Sequence, residues 1–229
     1  MDFIIQSAFF GVFLSLLAYV VGLWAKKKFK WAIFNPLLIA ILLVMGTLLL
    51  FGIDYETYNR GAKYLSYFLT PATICLAIPL YEKLQLLKQN WRAILAGILS
   101  GVLATLTGVL VIAVLFSLSH SQYVTLLPKS ITTAIGIGVS EELGGISTIT
   151  VAVIILSGIF GNMFGEVLCK WFRITDPVAK GIAIGSASHA IGTARAIEIG
   201  QVEGAMSSLS IAVSGLITVI GASVFAQFF

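Results

Sequence analysis

Long stretches without a single charged residue are the feature that most constrains this chain. A helix of roughly 20 apolar residues is long enough to cross the hydrocarbon core of a bilayer. Only 10% of the residues are charged, against about 25% in an ordinary soluble domain, so lipid must cover much of the surface. We therefore predict an all-α polytopic membrane protein with about six full transmembrane helices. The charge-free windows are residues 3–25, 31–53, 64–81, 93–128, 143–165 and 204–229.

Composition and motifs argue against several other classes. Unbroken apolar runs do not fit the alternating strands of a β-barrel, and a lone signal peptide would not be followed by more of them. The net charge of +4 comes from basic residues in short loops, so it does not indicate nucleic-acid binding. No hydrolase or nucleotide-binding motif is present, and the two histidines with Cys75 and Cys169 do not have the spacing of a metal site. We expect neither an enzyme nor a bound metal or cofactor.

The distribution of positive charge predicts the orientation. The sequence KKKFK at residues 26–30 places the first loop in the cytoplasm and the N-terminus outside. If the segment that follows Lys129 turns back to the side from which it entered, ten Lys and Arg lie inside and three outside. A full crossing at that point gives seven against six. The counts favour a re-entrant segment, with a crossing broken helix as the alternative.

Two Gly-rich segments interrupt the pattern of spans. The first is residues 130–140, and the second runs from residue 178 to about residue 200. Residues 134–145 resemble residues 183–193, which predicts two inverted repeat units; packing of small residues is the alternative explanation. Interrupted helices at matching places in inverted repeats indicate a transporter binding site near the middle of the membrane. We therefore divide the chain into a four-helix scaffold, 1–127, and a core, 128–229.

Arg195 is the first candidate for a functional residue. An arginine at membrane depth is costly and usually functional, and its planar fork can hold a carboxylate with two hydrogen bonds. An ion pair with Glu198 or a position at the membrane face is the alternative. His189 has the chemistry to relay a proton or orient a substrate, and a structural hydrogen bond is the alternative for it.

The other candidates are polar side chains and glycines at the two interruptions. Half-helix N-termini and nearby hydroxyls can bind an anion, although hydroxyls also bond back to helix carbonyls. The expected substrate contacts are Lys129, Ser130, Thr132, Thr133 and Thr193, in addition to Arg195 and His189. The expected positions of helix breaks and gating are Glu141, Glu142, Gly144, Gly145, Gly192 and Glu198.

Several motifs in the C-terminal half resemble the LrgB/CidB family of bacterial membrane proteins. They are PKSITT at residues 128–133, EELGG at 141–145, SGIFGNMFG at 157–165 and SASHAIGTARAIEIG at 186–200, followed by EGAMSSL. The resemblance covers most of the chain. Ala134 stands where the family pattern has a proline, which affects the expected kink and weakens the transfer of roles to Thr132 and Thr133.

The resemblance implies two functions of different classes. One is transport of small monocarboxylates such as pyruvate, glycolate or glycerate, as in plastid members of similar sequence. The other is a holin-like or antiholin-like regulator of murein hydrolase export and cell lysis. The resemblance also implies the bacterial cytoplasmic membrane, a small partner membrane protein of the LrgA/CidA type and a homo-oligomer. Two interrupted segments with an arginine, a histidine and clustered hydroxyls favour the transporter, because a holin needs only apolar helices that associate.

Overall fold

The computed structural model describes residue 7, residues 9–29 and residues 34–229, with only the backbone described at Leu69, Thr70, Thr73 and Leu80. These residues form helices and no strand, which confirms the all-α prediction. In chain order the helices are α1 (Phe10–Phe29), α2 (Pro36–Leu50), α3 (Tyr55–Ser66), α4 (Leu69–Cys75), α5 (Ala77–Glu82), α6 (Leu84–Leu115), α7 (His120–Leu126), α8 (Thr133–Glu142), α9 (Ser147–Trp171), α10 (Pro177–Ile199) and α11 (Gln201–Phe225), with a 3-10 turn at Ala226–Phe228.

Four helices among the described residues are long and apolar enough to cross a membrane: α1, α6, α9, and α11 with the turn that follows it. The chain is thus a membrane protein, but the predicted number of six full spans is not confirmed. Window 31–53 contains the shorter helix α2, and window 64–81 is divided among α3, α4 and α5. The structure does not describe the first residues of two windows, 3–25 and 31–53. Lys30 of the first basic loop also lies outside the described residues.

Proline explains why residues 64–81 are not one helix. In a continuous helix Pro79 would have no N–H to donate to the carbonyl of Cys75, and its ring would collide with that carbonyl. Accordingly, α4 ends at Cys75 and α5 begins at Ala77. A window defined only by the absence of charge does not detect such a break.

Contacts between Cα atoms divide the chain into two compact units, residues 1–75 and 76–229. In the first unit α1 packs against α2 and α3. Gly22 permits the approach to α2, because a Cβ there would lie 2.5 Å from the carbonyl oxygen of Pro36. The division falls after Cys75, whereas the sequence analysis placed a boundary after residue 127; as the limit of a functional core, that boundary stays a prediction.

The second unit is built around α6, α9 and α11. One face of α6 is buried, at Ile94, Ile98, Val102, Leu106, Val109 and Ala113, and the steps of three or four residues between them form one stripe along the helix. Tyr123 of α7 is fully buried in the same core, where its hydroxyl donates to the carbonyl of Phe225 at 2.9 Å. Large apolar residues on the opposite face of α6, such as Leu95, Leu99 and Leu103, are exposed, as expected for a surface in contact with lipid.

The helices α7 and α8 form a hairpin, called here the first hairpin (residues 120–142). At its open end the hydroxyl of Ser121 donates to the carbonyl of Gly144 at 3.1 Å. Further in, the hydroxyl of Thr150 on α9 reaches both arms, bonding to the carbonyl of Thr125 at 3.0 Å and to the hydroxyl of Ser140 at 2.7 Å. The two arms therefore run side by side in opposite directions, and residues 127–132 form the tip.

Helix α10 also reverses direction, and forms the second hairpin (residues 177–199). Ser188 and His189 leave the helical region, with φ −136° and ψ 15° at Ser188 and φ 41° and ψ −143° at His189. In a straight helix Gly181 and Ile197 would be about 24 Å apart. A Cβ on Gly181 would nevertheless lie 2.5 Å from the carbonyl oxygen of Glu203, and a Cβ on Gly204 would lie 2.8 Å from Ile197. Both arms, residues 177–187 and 190–199, thus lie beside the start of α11.

The two hairpins approach the middle of α9 from its two ends. The first hairpin lies beside the N-terminal half of α9, where a Cβ on Gly136 would collide with Ile154. The second hairpin lies beside the C-terminal half, where Gly165 faces Ile184 of one arm and the amide of Asn162 donates to the carbonyl of Ile191 of the other at 2.7 Å. Whether either hairpin is a re-entrant segment of an inverted repeat stays a prediction from the sequence.

Residues 134–145 and 183–193 resemble each other in sequence but do not occupy equivalent positions in the two hairpins. Residues 134–145 form the second arm of the first hairpin and the turn into α9, whereas residues 183–193 contain the tip of the second hairpin. The repeated letters reflect small residues that permit close packing in both places. The two proposed repeats are similar in the order of their elements, because each consists of a hairpin followed by a long helix.

Candidate binding site

The tips of the two hairpins meet beside the middle of α9. Two grooves on the surface of this unit are both lined by Lys129 from the first tip and Ala187 from the second, and one of them also by Ser188. Ser188 packs against Gly161 so closely that a Cβ on Gly161 would collide with its side chain. The fold therefore brings residues from two distant parts of the chain together at the centre of a spanning helix.

Lys129 provides an uncompensated positive charge at this meeting point. Its side chain is half-buried, and its Nζ donates to the hydroxyl of Ser130 at 3.1 Å. Within the part of the chain that the structure describes, no carboxylate forms an ion pair with Lys129. A partly desolvated ammonium without a counter-ion favours the binding of an anion.

Helix α8 adds a second element that favours an anion. Thr132 precedes the helix with an extended backbone, its side chain forms no capping hydrogen bond, and Thr133 is the first helical residue. The first N–H groups of α8 and the positive end of its dipole consequently point toward the tip. Thr132 and Thr133, predicted as substrate contacts, are thus placed at the tip beside Lys129.

His189 and Thr193 hold the second hairpin in place. His189 is buried, and its Nε2 donates to the carbonyl of Ile154 on α9 at 2.9 Å. The hydroxyl of Thr193 lies 2.9 Å from the carbonyl of His189 and 2.7 Å from the hydroxyl of Ser207 on α11. The structural alternative that the sequence left open for His189 is therefore present, and its positive φ is a strained conformation that these contacts maintain.

Arg195 lies one and a half turns beyond the tip and is fully paired. Its Nη2 is 2.5 Å from Glu166 Oε2 on α9, and its Nη1 is 2.5 Å from Glu198 Oε2. Lys170 completes the group at 2.8 Å from Glu166 Oε1. Among the described residues, the cluster contains two cations and two carboxylates, and it connects the second arm to α9. The sequence left open an ion pair with Glu198 as the alternative to a substrate contact, and the structure contains this ion pair.

The predicted gating residues are distributed over both hairpins. Glu141 and Glu142 are exposed at the open end of the first hairpin, away from its tip. Gly144, with φ 80°, and Gly145 form the turn into α9. Gly192 lies inside the second hairpin, where a Cβ would lie 2.5 Å from the Cβ of Ser188. Its lack of a side chain lets the two arms approach each other.

Replacing Arg195 with methionine should lower the stability of the protein. The variant loses two ion pairs that are about one-third exposed, so we expect a loss of about 1–2 kcal/mol, less than for a fully buried pair. Thermal unfolding in detergent measures the loss, and the double variant with Glu166→Gln should be less than additive. A matched control is Arg60→Met at an exposed position. A Tm equal to that of the wild type, or an equal loss in the Arg60→Met control, would contradict this assignment.

Among the described residues, no group of three or more His, Cys, Asp or Glu side chains is arranged to hold a metal ion. Cys75 is exposed and Cys169 is buried, and neither forms a disulfide.

Comparison with known proteins identifies the family. The model of the LrgB-like family matches residues 15–228. The chain is 38% identical to antiholin-like protein LrgB of Bacillus subtilis (strain 168), over 97% of this chain and 96% of the relative. It is also 38% identical to the proteins of the same name from Bacillus mycoides (strain KBAB4) and Bacillus cereus (strain B4264), over 97% of each chain. No solved structure matches. The chain belongs to the LrgB-like family.

Proposed function

We propose that this protein carries small monocarboxylates, of the pyruvate or glycolate and glycerate type, across the bacterial cytoplasmic membrane. The observation that supports the proposal is the meeting of two opposed hairpin tips around an unpaired Lys129. A carboxylate placed there would receive the ammonium of Lys129 and N–H groups at the start of α8, a combination used in carriers with broken helices. Ser130, Thr132 and Thr133 supply hydroxyls nearby, and Lys129 takes the role that the sequence analysis gave to Arg195.

The opposed entry of the hairpins suits alternating access. Each hairpin separates the tip region from one end of α9, so a movement of one hairpin would open the site to one side only. Lys170, Arg173 and Lys180 lie at the open end of the second hairpin. By the positive-inside rule, we propose that this end faces the cytoplasm.

The second candidate function is antiholin-like regulation of murein hydrolase export and cell lysis. The names of the Bacillus relatives favour it, since all three are called antiholin-like. A regulator of this class would act through association with other membrane proteins, for example a small LrgA/CidA-type partner or further copies of itself. Such association has no need of an unpaired lysine between two hairpin tips.

Uptake into liposomes distinguishes the two functions. Purified protein is reconstituted with and without an LrgA/CidA-type partner, and the entry of labelled pyruvate and glycolate is compared with the release of a large trapped dye. The carrier proposal requires saturable uptake that excess unlabelled carboxylate inhibits, with no dye release. Dye release without saturable uptake, in the presence or absence of the partner, would instead support the holin class.

A further inference from the structure

A groove between α6 and the first arm of α10 leads to Lys129. Its volume is about 820 Å³. A Cβ on Gly97 would lie 3.3 Å from Ile182, and a Cβ on Gly101 would lie 2.9 Å from the hydroxyl oxygen of Ser186. The helix α6 and the first arm of α10 therefore run side by side in the same direction. A step of four residues along α6 corresponds to a step of four residues along α10. Thr105, one further turn along α6, is consequently level with the tip of the second hairpin.

This register locates the groove relative to the candidate site. Asn90 and Asp176 line the end at which α10 begins, and Lys129 and Ala187 line the groove at the level of the hairpin tips. Asp176 is the N-cap of α10, and its side chain accepts from the N–H of Ala179 at 2.8 Å. The groove thus runs from the loop between α9 and α10 to the candidate site, and continues past it along α6 to Ile112.

Small and hydroxyl-bearing side chains line the groove between these ends. The hydroxyl of Ser100 donates to the carbonyl of Gly97 at 2.8 Å, and that of Ser186 to the carbonyl of Ile182 at 2.7 Å, so both oxygens still have acceptor capacity. The hydroxyl of Thr105 has no hydrogen-bond partner among the described residues. Polar groups of this kind in an otherwise apolar helix face are suited to contact with water.

The second groove at Lys129 has a different lining. It runs along α9 and exposes large apolar side chains, including Phe160, Phe164 and Trp171. Such a surface is suited to acyl chains. Its two hydroxyl-bearing residues, Ser157 and Ser188, are at the level of the second hairpin tip. The groove along α6 has hydroxyl groups along its length and polar residues at its outer end.

We infer that the groove along α6 is the aqueous route by which a small carboxylate reaches Lys129 from the side on which the second hairpin opens. The inference rests on the carrier function proposed above. Gly97 and Gly101 set the width of the route, because any side chain there would contact the first arm of α10. Thr105 provides a hydrogen-bonding group at its inner end.

Cysteine labelling tests whether the groove holds water. Ala104 lines the groove, whereas its neighbour Leu103 is at the same depth on α6, does not line it and is 46% exposed. Both are changed to cysteine, separately, in the full chain carrying Cys75→Ser and Cys169→Ala. Because only the solvated thiolate reacts, Ala104→Cys should react with a charged methanethiosulfonate at least about tenfold faster than Leu103→Cys. Pyruvate should slow the reaction at Ala104→Cys only.

A plug in the groove gives an independent measurement. Ser100 lines the groove between its outer end and the hairpin tips, whereas its neighbour Leu99 does not line it and is 42% exposed. Ser100→Phe should reduce carboxylate uptake at least about tenfold by filling the route, while Leu99→Phe should leave uptake unchanged.

The outcomes separate this inference from the carrier proposal. The groove would be filled by lipid if the charged reagent labelled the two cysteines equally. It would also be filled by lipid if Ala104→Cys reacted with an uncharged maleimide but not with the charged reagent. With wild-type uptake intact, either labelling result, or normal uptake by Ser100→Phe, would overturn the route alone. Absence of saturable uptake by the wild-type protein would overturn both the carrier and its route.

Discussion

Replacing Lys129 with methionine should reduce the apparent affinity for pyruvate or glycolate about a hundredfold, with correct membrane insertion. Methionine keeps the length of the side chain and removes its charge. Loss of one partner of a desolvated ionic contact costs about 2–5 kcal/mol, and about 1.4 kcal/mol corresponds to a tenfold change. Among the described residues no carboxylate depends on Lys129, so its removal leaves no unpaired acidic group behind. Stability should therefore change little.

Two controls belong with this measurement. Lys129→Arg keeps the charge and should retain a substantial part of the uptake. Lys88→Met removes an exposed lysine on α6 and should have no effect. Uptake by Lys129→Met that matches the wild type would remove Lys129 from the binding site and leave the carrier proposal without its supporting observation.

Substitution of Gly161 with alanine should displace the tip of the second hairpin and abolish most uptake. The new Cβ would collide with both side-chain heavy atoms of Ser188. Overpacking in a close-packed interior typically costs about 1–3 kcal/mol, which exceeds the gain in helix propensity of about 1 kcal/mol. We expect a lower Tm in detergent together with reduced uptake.

The chain offers both a control and a compensating change. Gly165 lies one turn further along α9, where a Cβ would be 3.3 Å from the flexible side chain of Ile184, so Gly165→Ala should be tolerated. Combining Gly161→Ala with Ser188→Gly removes the colliding atoms and should restore a large part of the Tm. Equal effects of the two single substitutions, without rescue in the double variant, would mean that the hairpin tip does not pack at Gly161.

The membrane class and the existence of two interruptions could be predicted from the sequence because both depend on local properties. Absence of charge over about 20 residues is sufficient to predict a helix in lipid. The charge counts on either side of residues 130–140 favoured a segment that turns back, which stays a prediction; the structure contains a helical hairpin at residues 120–142. The number of spans was less predictable. Hydrophobicity reports neither the helix break that Pro79 introduces nor the short length of α2.

The candidate site was harder to predict because charge balance depends on tertiary contacts. Arg195 was recognised within the second interrupted segment and Lys129 at the entry to the first, and Arg195 was ranked first. Its partner Glu166 is 29 residues away in the sequence, on a different helix, so the pairing becomes visible only when the second hairpin packs against α9. The spacing of Glu198 was local and was correctly recognised as an alternative partner.

His189 illustrates the same limit. Its residue type suggested proton transfer, yet its role in the structure is to connect the hairpin tip to the carbonyl of Ile154, 35 residues away. Gly158 and Gly161 on α9 make room for His189 and Ser188 at the tip.

The reversal of α10 at Ser188 and His189 is the central claim, and a distance between its two arms tests it most directly. Spin labels are placed at Ala179→Cys and Ile197→Cys, both exposed positions, in the chain lacking Cys75 and Cys169. An uninterrupted helix would separate these positions by about 27 Å. A hairpin predicts a double electron–electron resonance distance well below that value in lipid nanodiscs, and a distance of about 27 Å or more would contradict the account.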